Sequence, residues 1–282
     1  MQNLAWIDGK VCDLAEARVP LEDRGYFFGD GVYEVIKIYN GVPFYLAAHL
    51  ERLHRSAAAI SIDLPYSSND IEKIVKELIK KSGRTEGYIY MQLTRGHAER
   101  DHLFPDNASP SLIIFIRGLP TAAAPGSVSC IILPDERWLN CHIKTVNLLP
   151  NVLARQKAAE AGAAEAILYR PEGIVTEGSR SNVFAVIEGN VRTHPESNLI
   201  LSGITRRIVL DILAELEIPC FEEAFTLNEL KKATEVWIAS SMAEVKPVIL
   251  IDGAPVNGSA LGTIYQRLAE EFQKKIEAFC YA

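Results

Sequence analysis

Lys144 stands in a stretch where apolar and polar residues alternate, Cys141-His-Ile-Lys-Thr-Val146, which is the period of a strand. A lysine partly desolvated there loses proton affinity and becomes a usable nucleophile and base. Taken singly, one lysine among many is more often a solvated surface charge. Ser202-Gly-Ile-Thr205 opens a helix, so unpaired N–H groups point at whatever lies before it, an arrangement suited to phosphate. Gly203 permits close backbone approach and Thr205 offers a hydroxyl, although an ordinary helix start has the same pattern. Arg100 and His102 lie in Arg95-Gly-His-Ala-Glu-Arg-Asp-His-Leu-Phe-Pro105. There a guanidinium fork stands close to a second side-chain donor. Their bland reading is a charged surface loop partnered by Glu99 and Asp101. By themselves Glu177, before Gly178, reads as a turn acid, and Arg52 as the solvated face of an amphipathic helix.

These groups need elements to hold them. The β-branched and aromatic run 32–39 predicts a strand, and Asn40-Gly41 a hairpin into a returning strand over 42–46 that Pro43 limits. Leu46, Leu50, Leu53, Ala57 and Ile60 recur at helical spacing, and a second helix covers 69–81, ended by Gly83. Strands follow over 88–94 and 111–117. In the second half the pattern gives strands at 128–133, 166–169, 182–187, 235–239 and 248–251, and a short one after the turn at 188–190. It places helices at 152–161, 204–216 and 261–279. The small, apolar, proline-flanked segment 119–126 is the linker candidate. The division expected is 1–118, an α/β domain; 119–126, a linker; and 127–282, an α/β domain carrying Lys144. The class is α/β (mixed α+β) in two domains.

Composition bounds the function. The 282 residues carry a net charge of −7, which argues against a nucleic-acid or anionic-membrane surface. An anionic ligand therefore needs a local cluster of Arg or Lys. Cys12, Cys130, Cys141, Cys220 and Cys280 are scattered and odd in number, the pattern of a reducing compartment without disulfides or a structural zinc. No basic-then-apolar leader opens the chain and no stretch approaches a membrane span, so a cytoplasmic protein is expected.

Six motifs stand in a fixed order. They are Glu22-Asp-Arg-Gly-Tyr-Phe-Phe-Gly-Asp-Gly-Val-Tyr-Glu34, His49-Leu-Glu-Arg-Leu53 and Arg137-Trp-Leu-Asn-Cys-His-Ile-Lys-Thr-Val-Asn147. Thr176-Glu-Gly-Ser-Arg-Ser-Asn-Val-Phe184, Ser202-Gly-Ile-Thr-Arg206 and Ala239-Ser-Ser-Met-Ala-Glu244 follow. The set resembles the class IV aminotransferases, the fold-type IV pyridoxal-phosphate enzymes, over nearly the whole chain. The resemblance implies a two-domain fold of that type with pyridoxal 5′-phosphate as cofactor and no metal. It makes Lys144 the Schiff-base former and the shuttle of the proton between substrate Cα and cofactor C4′. Glu177 is placed against the pyridine nitrogen, which it keeps protonated so that the ring acts as an electron sink. Arg52, Gly203, Ile204, Thr205, Ser240 and Ser241 hold the phosphate, with Ser241 the better donor of the two serines, and Leu201 packs against the ring. Arg137 and Trp138 give local support, and His49 and His54 pack or solvate rather than catalyse.

Arg100-x-His102 followed by an apolar residue and Phe-Pro resembles the D-amino-acid aminotransferases. There the pair reaches across a homodimer interface and, with the residue matching Tyr33, grips the substrate α-carboxylate. The implied reaction is ping-pong transfer of an amino group from a D-amino acid such as D-alanine to a 2-oxo acid such as 2-oxoglutarate. Branched-chain L-amino-acid transamination and aminodeoxychorismate lysis are the alternatives on the same fold. Arg180 departs from the pattern, which has a small residue there. Turned inward it would favour acidic D-substrates; turned outward it would pair with an acid or meet solvent.

Overall fold

The computed structural model describes residues 1–119 and 126–281, so the expected linker lies, apart from Leu119 and Gly126, outside the described residues. The chain forms two compact units. One is Met1–Thr121, Ile143–Asn147 and Ile276–Ala282; the other is Ala122–His142 and Leu148–Lys275.

In the first unit, chain order runs β1 (Leu4–Ile7), β2 (Lys10–Asp13), α1 (Arg24–Phe28), β3 (Gly31–Tyr39), β4 (Val42–Pro43), α2 (Leu46–Ala59), α3 (Ser68–Ser82), β5 (Gly87–Thr94) and β6 (Ser111–Arg117). The strands make an antiparallel sheet in the order β2-β1-β6-β5-β3-β4. Alternation decides which face is buried: Val32, Ile36 and Ile38 of β3, Ile89, Met91 and Leu93 of β5 and Leu112, Ile114 and Ile116 of β6 face one core. Leu50, Leu53 and Ala57 of α2 and Ile71, Val75 and Leu78 of α3 belong to the same core. Glu34, on β3's buried face, is the exception in charge, and the site turns on it.

The hairpin after β3 has Asn40 and Gly41 both at positive φ, 50° and 76°, the demand of a two-residue turn with matching twist. The returning strand is two residues instead of the expected 42–46. Pro43 has no N–H to continue the ladder, and Tyr45, at φ 53°, turns the chain straight into α2. Ser67 and Asp70 form a capping box at the start of α3.

The second unit contains β7 (Val128–Pro134), α4 (Leu149–Glu160), β8 (Glu165–Arg170), β9 (Ile174–Gly178), β10 (Asn182–Ile187), β11 (Asn190–Thr193), α5 (Ile204–Glu215), β12 (Cys220–Glu222), α6 (Leu227–Leu230), β13 (Glu235–Ser240), β14 (Glu244–Ile251) and β15 (Ala254–Pro255). Then α7 (Thr263–Cys280) closes the chain and ends in the first unit. The strand order is β12-β11-β10-β13-β14-β7-β8-β9, with β15 on β14. β7 lies parallel to both β14 and β8, while β10, β13 and β14 pair antiparallel. All six residues of β10 are buried, which accounts for the continuous apolar run over 183–187.

The residues around Lys144 depart from the expected division. Sequence order put them with 127–282, but Ile143–Asn147 groups with the first unit. The cause is hydrogen bonding: the N–H of Tyr33 donates to the Lys144 carbonyl at 3.0 Å and that of Val146 to the Gly31 carbonyl at 3.1 Å.

Candidate active site

In the first unit, β3 supplies the floor under Lys144. The expected strand over 141–146 does not form; Thr145 makes one isolated antiparallel bridge with Val32, and the rest is bend and turn. The Lys144 N–H donates to Ser56 Oγ of α2 at 3.3 Å. Its Nζ lies 4.3 Å above the Tyr33 ring, which stacks in turn on Tyr90 at 5.7 Å between centroids. A half-buried primary amine held against a phenol ring has the chemistry of a nucleophile and of a proton carrier. Downstream, Asn147 Nδ2 donates to the Gly29 carbonyl at 2.8 Å. Gly29 caps α1 at φ 65°, and a side chain there would collide with Asn147, so both backbone and packing require glycine.

Arg52 and His49, one helical turn apart on α2, both reach Glu34. Arg52 donates from Nε to Oε1 at 2.6 Å and from Nη2 to Oε2 at 2.8 Å; His49 Nδ1 lies 2.7 Å from Oε2. Burial works to raise the Glu34 carboxyl, but the charges of Arg52 and His49 outweigh it and hold it well below the usual carboxylate range. Burial likewise lowers His49, against the pull of Glu34.

Arg100 and His102 come together on one ring: the Arg100 guanidinium lies 5.2 Å and the His102 imidazole 5.4 Å from the Phe28 centroid. Both are exposed, as are Leu103 (76%) and Phe104 (61%), so their loop shows apolar surface on the single chain. The loop is nonetheless anchored. Arg24 Nη1 donates to the Asp101 carbonyl at 2.6 Å, and the Arg95 guanidinium lies 3.6 Å over the Phe104 ring. Arg24 and Arg95 both donate to Asp30, whose carboxyl they hold low against the opposing effect of burial.

In the second unit, Glu177 is buried on β9 rather than in a turn. Arg137 Nη1 donates to Oε1, Asn182 Nδ2 to Oε2 at 3.0 Å, and the Leu201 N–H to both oxygens at 3.2 Å. Burial pushes this carboxyl up, and Arg137 is the main force pulling it back. Arg137 gives its two-point fork elsewhere, from Nε and Nη2 to Asp135 at 2.9 and 2.8 Å.

The remaining candidates also lie in this unit. Asn182 Nδ2 donates to the Leu201 carbonyl at 2.9 Å, tying the loop before α5 to Glu177. Gly203 is the N-cap of α5, without a side-chain cap, and a Cβ there would collide with Asn182 Oδ1. Ile204 and Thr205 are buried in the first turn of that helix. Ser240 ends β13 and accepts from the Ala243 N–H at 3.1 Å; Ser241 follows, half buried. Arg180 points outward, its side chain 64% exposed and 3.9 Å from Glu165.

Sequence reasoning missed Asp135, Asn182 and Glu34 and gave Arg137 no chemical part. The signal was a polar or charged residue inside or just beyond an apolar strand, as for Glu34, Asn182 and Asp135, which burial makes costly unless it is paired. What these sets can hold follows from donor chemistry. Glu177 has acceptor capacity beyond its three N–H donors among the described residues, and a buried anion favours an N–H cation there. A helix start with a glycine cap suits phosphate. With the amine of Lys144, these donor types match the chemical groups of a phosphorylated pyridine aldehyde. Among the described residues there is no group of His, Cys, Asp and Glu able to hold a metal, and no helix long and apolar enough to cross a membrane.

The family of amino-transferases class IV matches residues 31–251. Over 97% of this chain and 98% of the relative, the sequence is 43% identical to the D-alanine aminotransferase of Staphylococcus aureus strain COL. It is 44% identical to that of Bacillus licheniformis over 95% of each chain. Among solved structures, the branched-chain aminotransferase of Thermoproteus uzoniensis with norvaline superposes with a TM-score of 0.89 at 30% identity, covering 98% of this chain and 95% of that one. The T.th. branched-chain enzyme with pyridoxamine 5′-phosphate gives 0.90 at 26%, covering 99% and 95%.

Proposed function

The chain belongs to the class IV aminotransferases, whose cofactor is pyridoxal 5′-phosphate, and we propose that it transfers the amino group of a D-amino acid such as D-alanine to a 2-oxo acid such as 2-oxoglutarate. The observation that carries this reading is the near full-length identity to D-alanine aminotransferases. Arg100 and His102, side by side on Phe28, give it a chemical basis.

When bound, the cofactor supplies the electron sink that lets the substrate Cα–H bond break. Lys144 Nζ anchors the cofactor aldehyde carbon and carries the proton between Cα and C4′. Glu177 keeps the ring nitrogen protonated. Arg52, Gly203, Ile204, Thr205, Ser240 and Ser241 hold the phosphate, and Leu201 walls the ring. Tyr33, Arg100 and His102 take the α-carboxylate, the arginine by its fork. The exposed Leu103 and Phe104 beside that pair support a homodimer in which the loop serves the partner's site. Five free cysteines support a cytoplasmic setting.

The test is the visible absorbance of cofactor-loaded protein mixed separately with D-alanine, L-alanine and L-leucine. A change with D-alanine alone is expected, and Lys144→Ala should abolish turnover. A change with L-leucine alone would overturn the stereochemical assignment in favour of branched-chain transamination, the activity named for the structural neighbours.

A further inference from the structure

A line of buried alternating charges runs through the second unit and ends on Glu177. Arg170 Nε lies 3.3 Å from Asp135 Oδ2. Asp135 receives both ends of the Arg137 fork, the Arg137 N–H at 3.1 Å and the Thr176 hydroxyl at 2.9 Å. The third nitrogen of Arg137 donates to Glu177. Side-chain exposures of 16% for Arg170, 0% for Asp135, 6% for Arg137 and 5% for Glu177 leave little solvent to screen them. The order is plus, minus, plus, minus, and the four sum to zero. Cys141 lies beside Arg137 too, but burial pushes its thiol up and it brings no charge.

The geometry of Arg137 is over-determined. Asp135 fixes the plane of the guanidinium through two bonds and the Leu199 carbonyl accepts from Nη2 at 3.2 Å. Its remaining nitrogen, Nη1, is thereby fixed in place, and Glu177 stands beside it. We infer that Arg137 is a positioning residue that keeps Glu177 an anion aimed at the cofactor ring nitrogen, with Asp135 as its orienter. The inference rests on the proposed function and deepens it: Glu177 supplies the contact, and Arg137 decides which side of that contact holds the proton. With Arg137 in place the proton sits on the ring nitrogen and Glu177 is a carboxylate. Without it, burial acts on Glu177 unopposed by that charge, and the same proton settles on the carboxyl, leaving the ring nitrogen neutral. Loss of an opposite charge at this range raises the proton affinity of a carboxyl by about tenfold to a thousandfold.

The experiment is 15N NMR of the ring nitrogen in protein loaded with 15N-labelled pyridoxal phosphate, for wild type, Arg137→Gln and Arg137→Lys. Wild type should show a protonated nitrogen and R137Q the shift of a neutral pyridine. R137K, which restores the charge without the fork, should recover protonation in part. Since R137Q strips Asp135 of its two-point partner, leaving Arg170 and Thr176, and can unfold the protein, the double variant D135N/R137Q removes both charges together and is read the same way. A protonated ring nitrogen in loaded R137Q or in the double variant overturns the inference while leaving the functional reading intact. Wild-type protein that carries no cofactor on Lys144, read by borohydride trapping and peptide mass, overturns both.

Discussion

Two of the buried glutamates, one taken from each unit, meet the same problem with opposite results. Glu34 and Glu177 both sit on strands, both accept from an arginine, and both take further nitrogen donors. Glu34 receives two nitrogens of Arg52, whereas Glu177 receives one corner of an arginine whose fork is committed to Asp135. Burial opposes ionisation at both. It is overruled at Glu34, whose carboxyl is lowered, and prevails in part at Glu177, whose carboxyl is raised. Where an arginine directs its fork therefore separates a lock from a site. Glu34 locks α2 to β3 and so sets the direction of Arg52, whereas Glu177 is left with an affinity that a cationic ring can satisfy.

The largest expected effect comes from breaking the lock. Glu34→Gln keeps the shape and removes the negative charge that both Nε and Nη2 of Arg52 donate to. Disrupting a buried pair from one side costs about 3–5 kcal/mol. Urea unfolding of apoprotein should show a loss of that order, and pyridoxal phosphate should bind more weakly because Arg52 loses its orientation. A stability loss below about 1 kcal/mol, the range of an exposed pair, would mean that Glu34 is no lock and would erase the contrast with Glu177.

A smaller effect separates the two by sign. An acid whose folded pKa is lowered stabilises above its unfolded value, about 4.3 for glutamate, and loses that contribution as pH falls through the folded value. An acid whose folded pKa is raised costs stability as pH rises above about 4.3, up to the folded value. Apoprotein stability measured from about pH 4 to 8 should thus decline with a Glu177 contribution that Glu177→Gln removes, so the difference between the two proteins narrows on acidification. Glu34→Gln should show its converging trend only below about pH 4. A difference between wild type and E177Q that is flat across the range would contradict the raised carboxyl.

Much of this was legible in sequence, and the part that was not has a common cause. The helices over Leu46–Ala59 and Ser68–Ser82 and the strands over Gly87–Thr94 and Ser111–Arg117 follow from period, because burial on one face acts locally. Lys144, Glu177 and the loop before α5 could be put forward as site residues from sequence because their motifs are contiguous. Asp135, Arg137 and Glu177 form one network, yet Arg137 and Glu177 are 40 residues apart, and no local spacing signals their contact. The strand expected through Lys144 failed for a related reason. Cys141 and Thr145 are both buried, but the N–H of Cys141 donates to the Asn198 carbonyl, and pairing with β3 is limited to one bridge, Thr145 with Val32, flanked by the Tyr33–Lys144 and Val146–Gly31 hydrogen bonds.

The smallest effect belongs to Arg180, which lies three residues from Glu177 in sequence and far from it in consequence. Its guanidinium is mostly exposed, and the 3.9 Å separation from Glu165 is at the limit of an ion pair. Glu165 is already held by the N–H and hydroxyl of Ser179 and the hydroxyl of Ser181, so a solvated cation adds little. Arg180→Ser should change stability by less than about 0.5 kcal/mol. It should also leave the ratio of D-glutamate to D-alanine activity as in wild type, because an outward guanidinium cannot meet a substrate carboxylate without first leaving Glu165 and solvent. A severalfold fall in that ratio would show that the side chain turns inward when substrate binds, and the charge balance around Glu177 would then include a fifth member.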